Sequence, residues 1–103
     1  MEDLLKKLNI EKKNFGACTG PEGWIKNSNT KEIFSVNPTN GETIASVFES
    51  SIKDYETVVQ KSKDAYEEWK KVPAPIRGQL IREMANALRD YKDPLGSLVS
   101  LEM

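Results

Sequence analysis

The second half of the chain carries three consecutive runs of apolar residues at helical spacing, and this pattern constrains the fold most. Ser51, with Asp54 three residues later, forms a capping-box pattern at the start of the first run. A helix is predicted from there to Val72, because Pro73 disfavours the α conformation of the residue before it. The apolar residues of this run are Tyr55, Val58, Val59, Ala65, Tyr66 and Trp69.

The second and third runs predict two further helices. Pro75 marks the start of the second, and Asp93-Pro94 the start of the third, with Asp93 as N-cap and Pro94 at the first helical position. The second run consists of Ile76, Leu80, Ile81, Met84, Leu88 and Tyr91; the third consists of Leu95, Leu98, Val99 and Met103. No Gly, Asn or basic residue follows the third run to close its helix.

Three amphipathic helices in so short a chain raise the question of what covers them. An amphipathic helix gains most of its stability by packing its apolar face. A chain of 103 residues buries about two-thirds of its unfolded surface at best. We therefore expect apolar helix surface to remain for something outside this chain.

The first half of the chain has a different period. A short helix is predicted over residues 2–8 and a loop over residues 14–23, where three Gly and a Pro occur. Asn40-Gly41 suits a turn position with positive φ. Three β-prone runs, Trp24–Lys26, Lys31–Val36 and Glu42–Phe48, predict a small antiparallel meander.

Composition excludes several classes of partner and of catalytic or metal site. The chain has 15 basic and 16 acidic residues, interleaved along the sequence, which argues against a nucleic-acid partner. It has no His and one Cys, so Ser-His-Asp and Cys-His sites, the usual zinc sites and an internal disulfide are excluded. The N-terminus resembles neither a signal peptide nor a transit peptide, and a reducing cytoplasm is the expected compartment.

Two kinds of candidate catalytic residue have simpler interpretations. Cys18 has no charged neighbour in sequence to activate its thiol, which favours an incidental loop cysteine over a reactive one. Adjacent carboxylates such as Glu67 and Glu68 point about 100° apart on a helix and cannot form an acid/base pair. They favour a solvated surface.

The candidate binding residues are also explained by structure. Trp24 and Trp69 could stack on a base or a sugar, although core packing is the favoured interpretation of Trp69. Three arginines of the second helix, expected largely outside its apolar stripe, could bind an anion, although ion pairs are favoured. They are Arg77, Arg82 and Arg89.

Three segments, in order, resemble the aldehyde dehydrogenase superfamily. The first, "FSVNPTNGETIASV", is similar to the family's N-terminal hairpin, and "VPAPIRGQLIREMANALRD" and "LGSLVSLEM" follow in the family's order. Within the family the chain is most similar to the antiquitin subfamily, the α-aminoadipic semialdehyde dehydrogenases. The resemblance implies an N-terminal fragment of a longer enzyme, which would explain a helix without a closing signal.

The resemblance implies an α/β parent fold with a Rossmann-type NAD-binding domain. Residues 1–23 would be an N-terminal helix and loop. Residues 24–103 would form the outer part of that domain, truncated before the Rossmann and catalytic regions. The intact enzyme would oxidise an aldehyde with NAD through a catalytic Cys, a Glu base and an oxyanion-stabilising Asn, and it would be a homo-oligomer.

No residue of this chain matches a catalytic or cofactor-binding position of the family, so the fragment is expected to be inactive and to bind no NAD. Its expected partner is the rest of the aldehyde dehydrogenase polypeptide, with no nucleic acid and no membrane. Ser35, Val36 and Glu102 correspond to positions that help hold a cation in some members, but no metal site is predicted. The alternative hypothesis is a small autonomous helical interaction module, whose exposed apolar stripes would bind a partner in a groove.

Overall fold

A computed structural model describes all residues, 1–103, as four helices and three strands. In chain order these are α1 (Glu2–Lys7), β1 (Lys13–Phe15), β2 (Glu32–Val36), β3 (Thr43–Phe48), α2 (Ile52–Trp69), α3 (Ala74–Asp90) and α4 (Lys92–Glu102). The predicted short N-terminal helix and the three C-terminal helices are all present. None of the helices is long and apolar enough to span a membrane.

The sheet is mixed, so the prediction of an antiparallel meander is only partly correct. Its strand order is β1-β3-β2, with β2 antiparallel and β1 parallel to β3. The predicted strand Trp24–Lys26 is wrong, since Trp24 makes only an isolated bridge with Cys18. The third strand comes instead from Lys13–Phe15, partly within the segment predicted as loop, and the Phe15 ring stacks on Phe48 with centroids 5.9 Å apart.

The β2–β3 hairpin forms where the sequence predicts it. Gly41 has φ +76°, a conformation that costs an L side chain energy, and its N–H donates to the carbonyl of Asn37. The Asn37 N–H in turn donates to the carbonyl of Glu42, which closes the turn. The positive φ predicted for the Asn40-Gly41 pair is therefore found at the glycine.

The N-terminus of α2 is capped as predicted. The Asp54 N–H donates to Ser51 Oγ at 3.1 Å, and the Ser51 N–H donates to Asp54 Oδ2 at 3.0 Å. The helix ends at Trp69, three residues before the predicted end at Val72, because the last N–H groups bond carbonyls three residues back in a tighter turn.

The junction of α3 and α4 differs from the prediction. Tyr91 is both the C-cap of α3 and the N-cap of α4, and α4 begins at Lys92. Asp93 is therefore not the N-cap, as predicted, but lies in the first turn, where its charge still favours the positive end of the helix. The two helices abut, so no extended residue is left to act as the cap.

The chain has almost no core. Only Leu5, Ile44, Ser46 and Asp54 are buried, and the chain exposes 8343 Å². A compact protein of 11.6 kDa exposes about 5,800 Å². Its Cα radius of gyration is 16.7 Å, where a compact domain of this length has about 13 Å. The elements are thus loosely packed, with α1 and α3 each in contact with α4.

Candidate functional site

The apolar side of α3 is uncovered in the structure. We use the term α3 face for Ile76, Leu80, Ile81, Met84 and Leu88, all exposed. The exposed fractions of Leu80, Met84 and Leu88 are 43%, 57% and 63%. No residue of α3 is buried. The predicted surplus of apolar helix surface is therefore present in the structure.

One end of this surface meets a groove between α1, α3 and α4. The groove has a volume of about 420 Å³ and is almost entirely apolar. Its lining residues are Leu8, Asn9, Met84, Ala87, Leu88, Tyr91 and Leu95. Because Met84 and Leu88 belong to both, the groove and the α3 face form one continuous apolar surface.

Arg77 lies within the α3 face, contrary to the expectation that the arginines of this helix fall largely outside it. At about 100° per residue, Leu80, Ile81, Met84 and Leu88 all fall within about 60° of Arg77 around the helix axis. By the same geometry Arg82 and Arg89 lie on the opposite side. Arg77 is half-buried, and its Nε is a buried donor without a hydrogen-bond partner.

The three arginines do not form an anion site. Arg77 is separated by about 120–140° around the helix from Arg82 and Arg89. Arg89 Nη1 donates to Asn86 Oδ1 at 2.9 Å. None of the three forms an ion pair, since all three ion pairs in the structure use lysine. The favoured interpretation of these arginines as ion-pair partners is therefore wrong.

Ser35 and Glu102, 67 residues apart, are brought together as the resemblance to the family's cation positions implies. Ser35 Oγ donates to Glu102 Oε1 at 2.5 Å, linking the edge strand β2 to the end of α4. The two side chains line a shallow groove of about 390 Å³. Cations such as Ca²⁺ take six to eight oxygen ligands. This pair supplies one carboxylate and one hydroxyl, and nowhere in the chain do three His, Cys, Asp or Glu residues group as metal ligands.

Cys18 is positioned as a structural residue. Its Sγ donates to the carbonyl of Gly20 at 2.7 Å and accepts the Gly20 N–H at 3.3 Å. Both hydrogen bonds stay within three consecutive residues, so the sulfur is used in local loop structure. The interpretation of Cys18 as an incidental loop cysteine agrees with this geometry.

The remaining candidates lie on the surface. Glu67 and Glu68 pair with Lys70 and Lys71 at 2.5 and 3.4 Å, as expected for a solvated helix face. Trp69 is half-buried, whereas Trp24 is 54% exposed. Trp24 borders a cleft of about 450 Å³ with Phe15 and two lysines, Lys13 and Lys26.

The N-terminus of α2 does not fit a bound dinucleotide. A pyrophosphate is usually held at a helix N-terminus that follows a glycine-rich turn from a strand. Here β3 leads into α2 through Glu49-Ser50-Ser51, without glycine, and the buried Asp54 carboxylate occupies the N-terminus. Two hydrogen bonds, first from the Asn27 side chain and then from the Ser51 backbone, lower the pKa of Asp54 and hold it charged. That negative charge opposes a phosphate at this position.

Comparison with known proteins identifies the family. The profile of the aldehyde dehydrogenase family matches residues 24–103, which include both strands of the hairpin and all of α2, α3 and α4. The chain belongs to the aldehyde dehydrogenase family.

Curated aldehyde dehydrogenases match nearly the whole chain. The chain is 41% identical over 100 residues to "Aldehyde dehydrogenase family 7 member A1" of Pisum sativum, covering 97% of this chain and 19% of the pea protein. It is 41% identical over 99 residues to "Alpha-aminoadipic semialdehyde dehydrogenase" of Bos taurus, covering 96% of this chain and 18% of the bovine protein. The chain thus spans less than a fifth of the length of these relatives, and the resemblance to the antiquitin subfamily is confirmed.

Two features of the aldehyde dehydrogenase segment were not predicted from its sequence. The unpartnered Nε of Arg77 depends on three-dimensional packing, although the spacing of three and four residues from Leu80 and Ile81 already places Arg77 in the apolar stripe. The hydrogen bond from Asn27 to Asp54 joins residues 27 positions apart, and no local pattern indicates it.

Proposed function

We propose that the chain is the N-terminal segment of an NAD-dependent aldehyde dehydrogenase and works only as part of the complete polypeptide. Two observations together support the proposal, one on matched length and one on exposed surface. The chain matches less than a fifth of its relatives' length, and it exposes about 2,500 Å² more surface than a compact chain of its mass. The rest of the polypeptide would cover this surplus.

In the complete protein the segment would form the outer part of a Rossmann-type NAD-binding domain. The reaction would be the oxidation of an aldehyde, here a semialdehyde, to a carboxylic acid with NAD as hydride acceptor. The name of the bovine relative supports a semialdehyde substrate. Catalytic and cofactor-binding groups would come from the rest of the polypeptide, and the complete enzyme would be a cytoplasmic homo-oligomer.

The isolated chain would neither oxidise aldehydes nor bind NAD. Its single Cys is bonded to the backbone of Gly20, and the N-terminus of α2 carries the charge of Asp54. The alternative, an autonomous interaction module, is favoured by the same uncovered α3 face. It would use that face to take up a helix from another protein.

A chimera tests the proposal against the alternative. The chain replaces the segment of the pea relative that it matches, and the purified chimera is assayed for NAD reduction with α-aminoadipic semialdehyde. We expect turnover by the chimera, and neither turnover nor NAD binding by the isolated chain. A chimera that folds no complete enzyme, or turnover by the isolated chain after removal of host enzymes, would overturn the proposal.

A further inference from the structure

We infer that Arg77 is the polar anchor of the α3 face, and that the covering surface of the aldehyde dehydrogenase polypeptide supplies a carboxylate to its guanidinium. This inference rests on the proposed function and adds a specific contact to it. It assigns Arg77 a positioning role at an interface, not a part in catalysis.

The position of Arg77 is the first argument. Its Cα falls along the centre line of the stripe formed by Leu80, Ile81, Met84 and Leu88. Any surface that packs on these apolar side chains must also cover the guanidinium. A guanidinium removed from water needs an acceptor, since a buried charge without a partner is strongly unfavourable.

The state of its donors is the second argument. Arg77 Nε is buried already in the uncovered chain and has no hydrogen-bond partner. The structure has three ion pairs with an N···O distance of 4 Å or less, and the cation of each is a lysine. No carboxylate of this chain therefore lies within 4 Å of the Arg77 guanidinium. Native proteins satisfy nearly all buried polar groups. Nε is covered by this chain's own atoms, so an outside acceptor reaches the guanidinium through its terminal Nη donors, which make no hydrogen bond within this chain. A carboxylate matches the fork geometry of these donors.

A second copy of the α3 face is a less favourable occupant than a surface that carries a carboxylate. Glu83 and Asp90, the acidic residues of α3, lie about 120–140° from Arg77 around the axis. Two α3 faces packed together would thus bury two guanidinium groups without an acidic partner. The rest of an aldehyde dehydrogenase polypeptide, more than four-fifths of the relatives' length, can provide both apolar area and a carboxylate.

The experiment uses Arg77→Met and the matched control Arg82→Met, in the chimera and in the isolated chain. Methionine keeps the apolar stem and removes the donors. In the chimera, we expect R77M to lower the urea midpoint for loss of activity, with about a tenfold larger unfolded fraction than R82M at the same urea concentration. In the isolated chain, R77M should be no less stable than R82M, because it removes an unsatisfied donor.

The outcomes test the role of Arg77 separately from the proposed function. Equal urea midpoints for R77M and R82M in an active chimera would overturn the role of Arg77 and leave the proposed function intact. The role of Arg77 would also be overturned if R77M destabilised the isolated chain as much as the chimera. Arg77 would then have its hydrogen-bond partner within the chain. An unmodified chimera that does not fold would instead overturn the proposed function.

Discussion

The Asn27 side chain donates a hydrogen bond of 2.8 Å from Nδ2 to Oδ2 of Asp54, and this bond ties the loop before β2 to the N-terminus of α2. The same oxygen accepts the backbone N–H of Ser51. One carboxylate thus caps the helix and holds the loop against it, in a molecule whose α2 has few other attachments to the sheet.

Low pH should destabilise α2 and its attachment to the loop before β2. The hydrogen bonds from Asn27 and Ser51 lower the folded-state pKa of Asp54 below its ordinary value. Asp54 therefore contributes stability that is fully present above the ordinary Asp pKa of about 3.9 and is lost as pH falls through the lower folded value. Helix ellipticity followed from pH 7 to pH 2 should show this loss. Asp54→Asn should remove that part of the pH dependence, and an unchanged acid profile would contradict the assignment.

The capping hydroxyl gives a second prediction. Ser51→Ala removes the acceptor of the Asp54 N–H and should lower the free energy of unfolding by about 1 kcal/mol. The matched control is Ser62→Ala inside α2, where the hydroxyl only bonds back to the carbonyl of Val58. That change should be neutral or slightly stabilising in urea titrations, because Ala favours a helix interior. Equal losses in both variants would argue against the capping box.

Two glycines should respond to alanine with opposite signs. Gly41 needs its positive φ of +76°, so Gly41→Ala should destabilise the hairpin by about 1–2 kcal/mol. Gly78 lies within α3, where an added Cβ meets no atom within 4 Å, so Gly78→Ala should stabilise the helix by about 0.5–1 kcal/mol. Thermal melts of both variants check the signs, and a stabilising Gly41→Ala would refute the turn.

The contact between Ser35 and Glu102 can be measured by a double-mutant cycle. Ser35→Ala, Glu102→Ala and the double variant should give a coupling of about 0.5–1.5 kcal/mol in urea titrations, because one hydrogen bond joins β2 to α4. Additive effects of the two substitutions would show that the bond contributes nothing in solution.

Exposed apolar helix faces should make the isolated chain self-associate or behave as a molten state. Surfaces of this kind bind hydrophobic dyes and drive aggregation. Dye fluorescence that falls when Leu80 and Met84 are replaced by Glu would support this origin. A sharp monomeric NMR spectrum with cooperative melting of the unsubstituted chain would contradict it.

Helices and the hairpin could be predicted from sequence because their signals are local. Capping at Ser51, the prolines at the start of α3 and the turn at Gly41 each act within a few residues. β1 could not be predicted, since its three residues form a strand only by pairing with β3, more than thirty positions away in sequence. Trp24–Lys26 has a β-prone composition but forms no strand, because it has no neighbouring strand to pair with.

In the candidate site, too, features with local sequence signals could be predicted, and features that depend on the fold could not. The uncovered apolar surface was predictable because helical period and chain length together showed that the stripes exceed what one small chain can bury. The unpartnered Arg77 Nε depends on the local packing around one atom. Arg77 itself lies in the apolar stripe because each residue turns the helix by about 100°. Contacts over long sequence separation, such as Asn27 with Asp54, are set by the fold and not by a motif.

Hydrogen exchange of the α3 amides most directly tests the claim that this segment is completed by the rest of an aldehyde dehydrogenase. It is measured by mass spectrometry on the isolated chain and on the chimera with the pea relative. The account predicts rapid exchange along Ala74–Asp90 in the isolated chain and strong protection in the chimera, because burial of the α3 face removes local opening. Equally rapid exchange in both proteins would show that nothing covers the α3 face and would contradict the account.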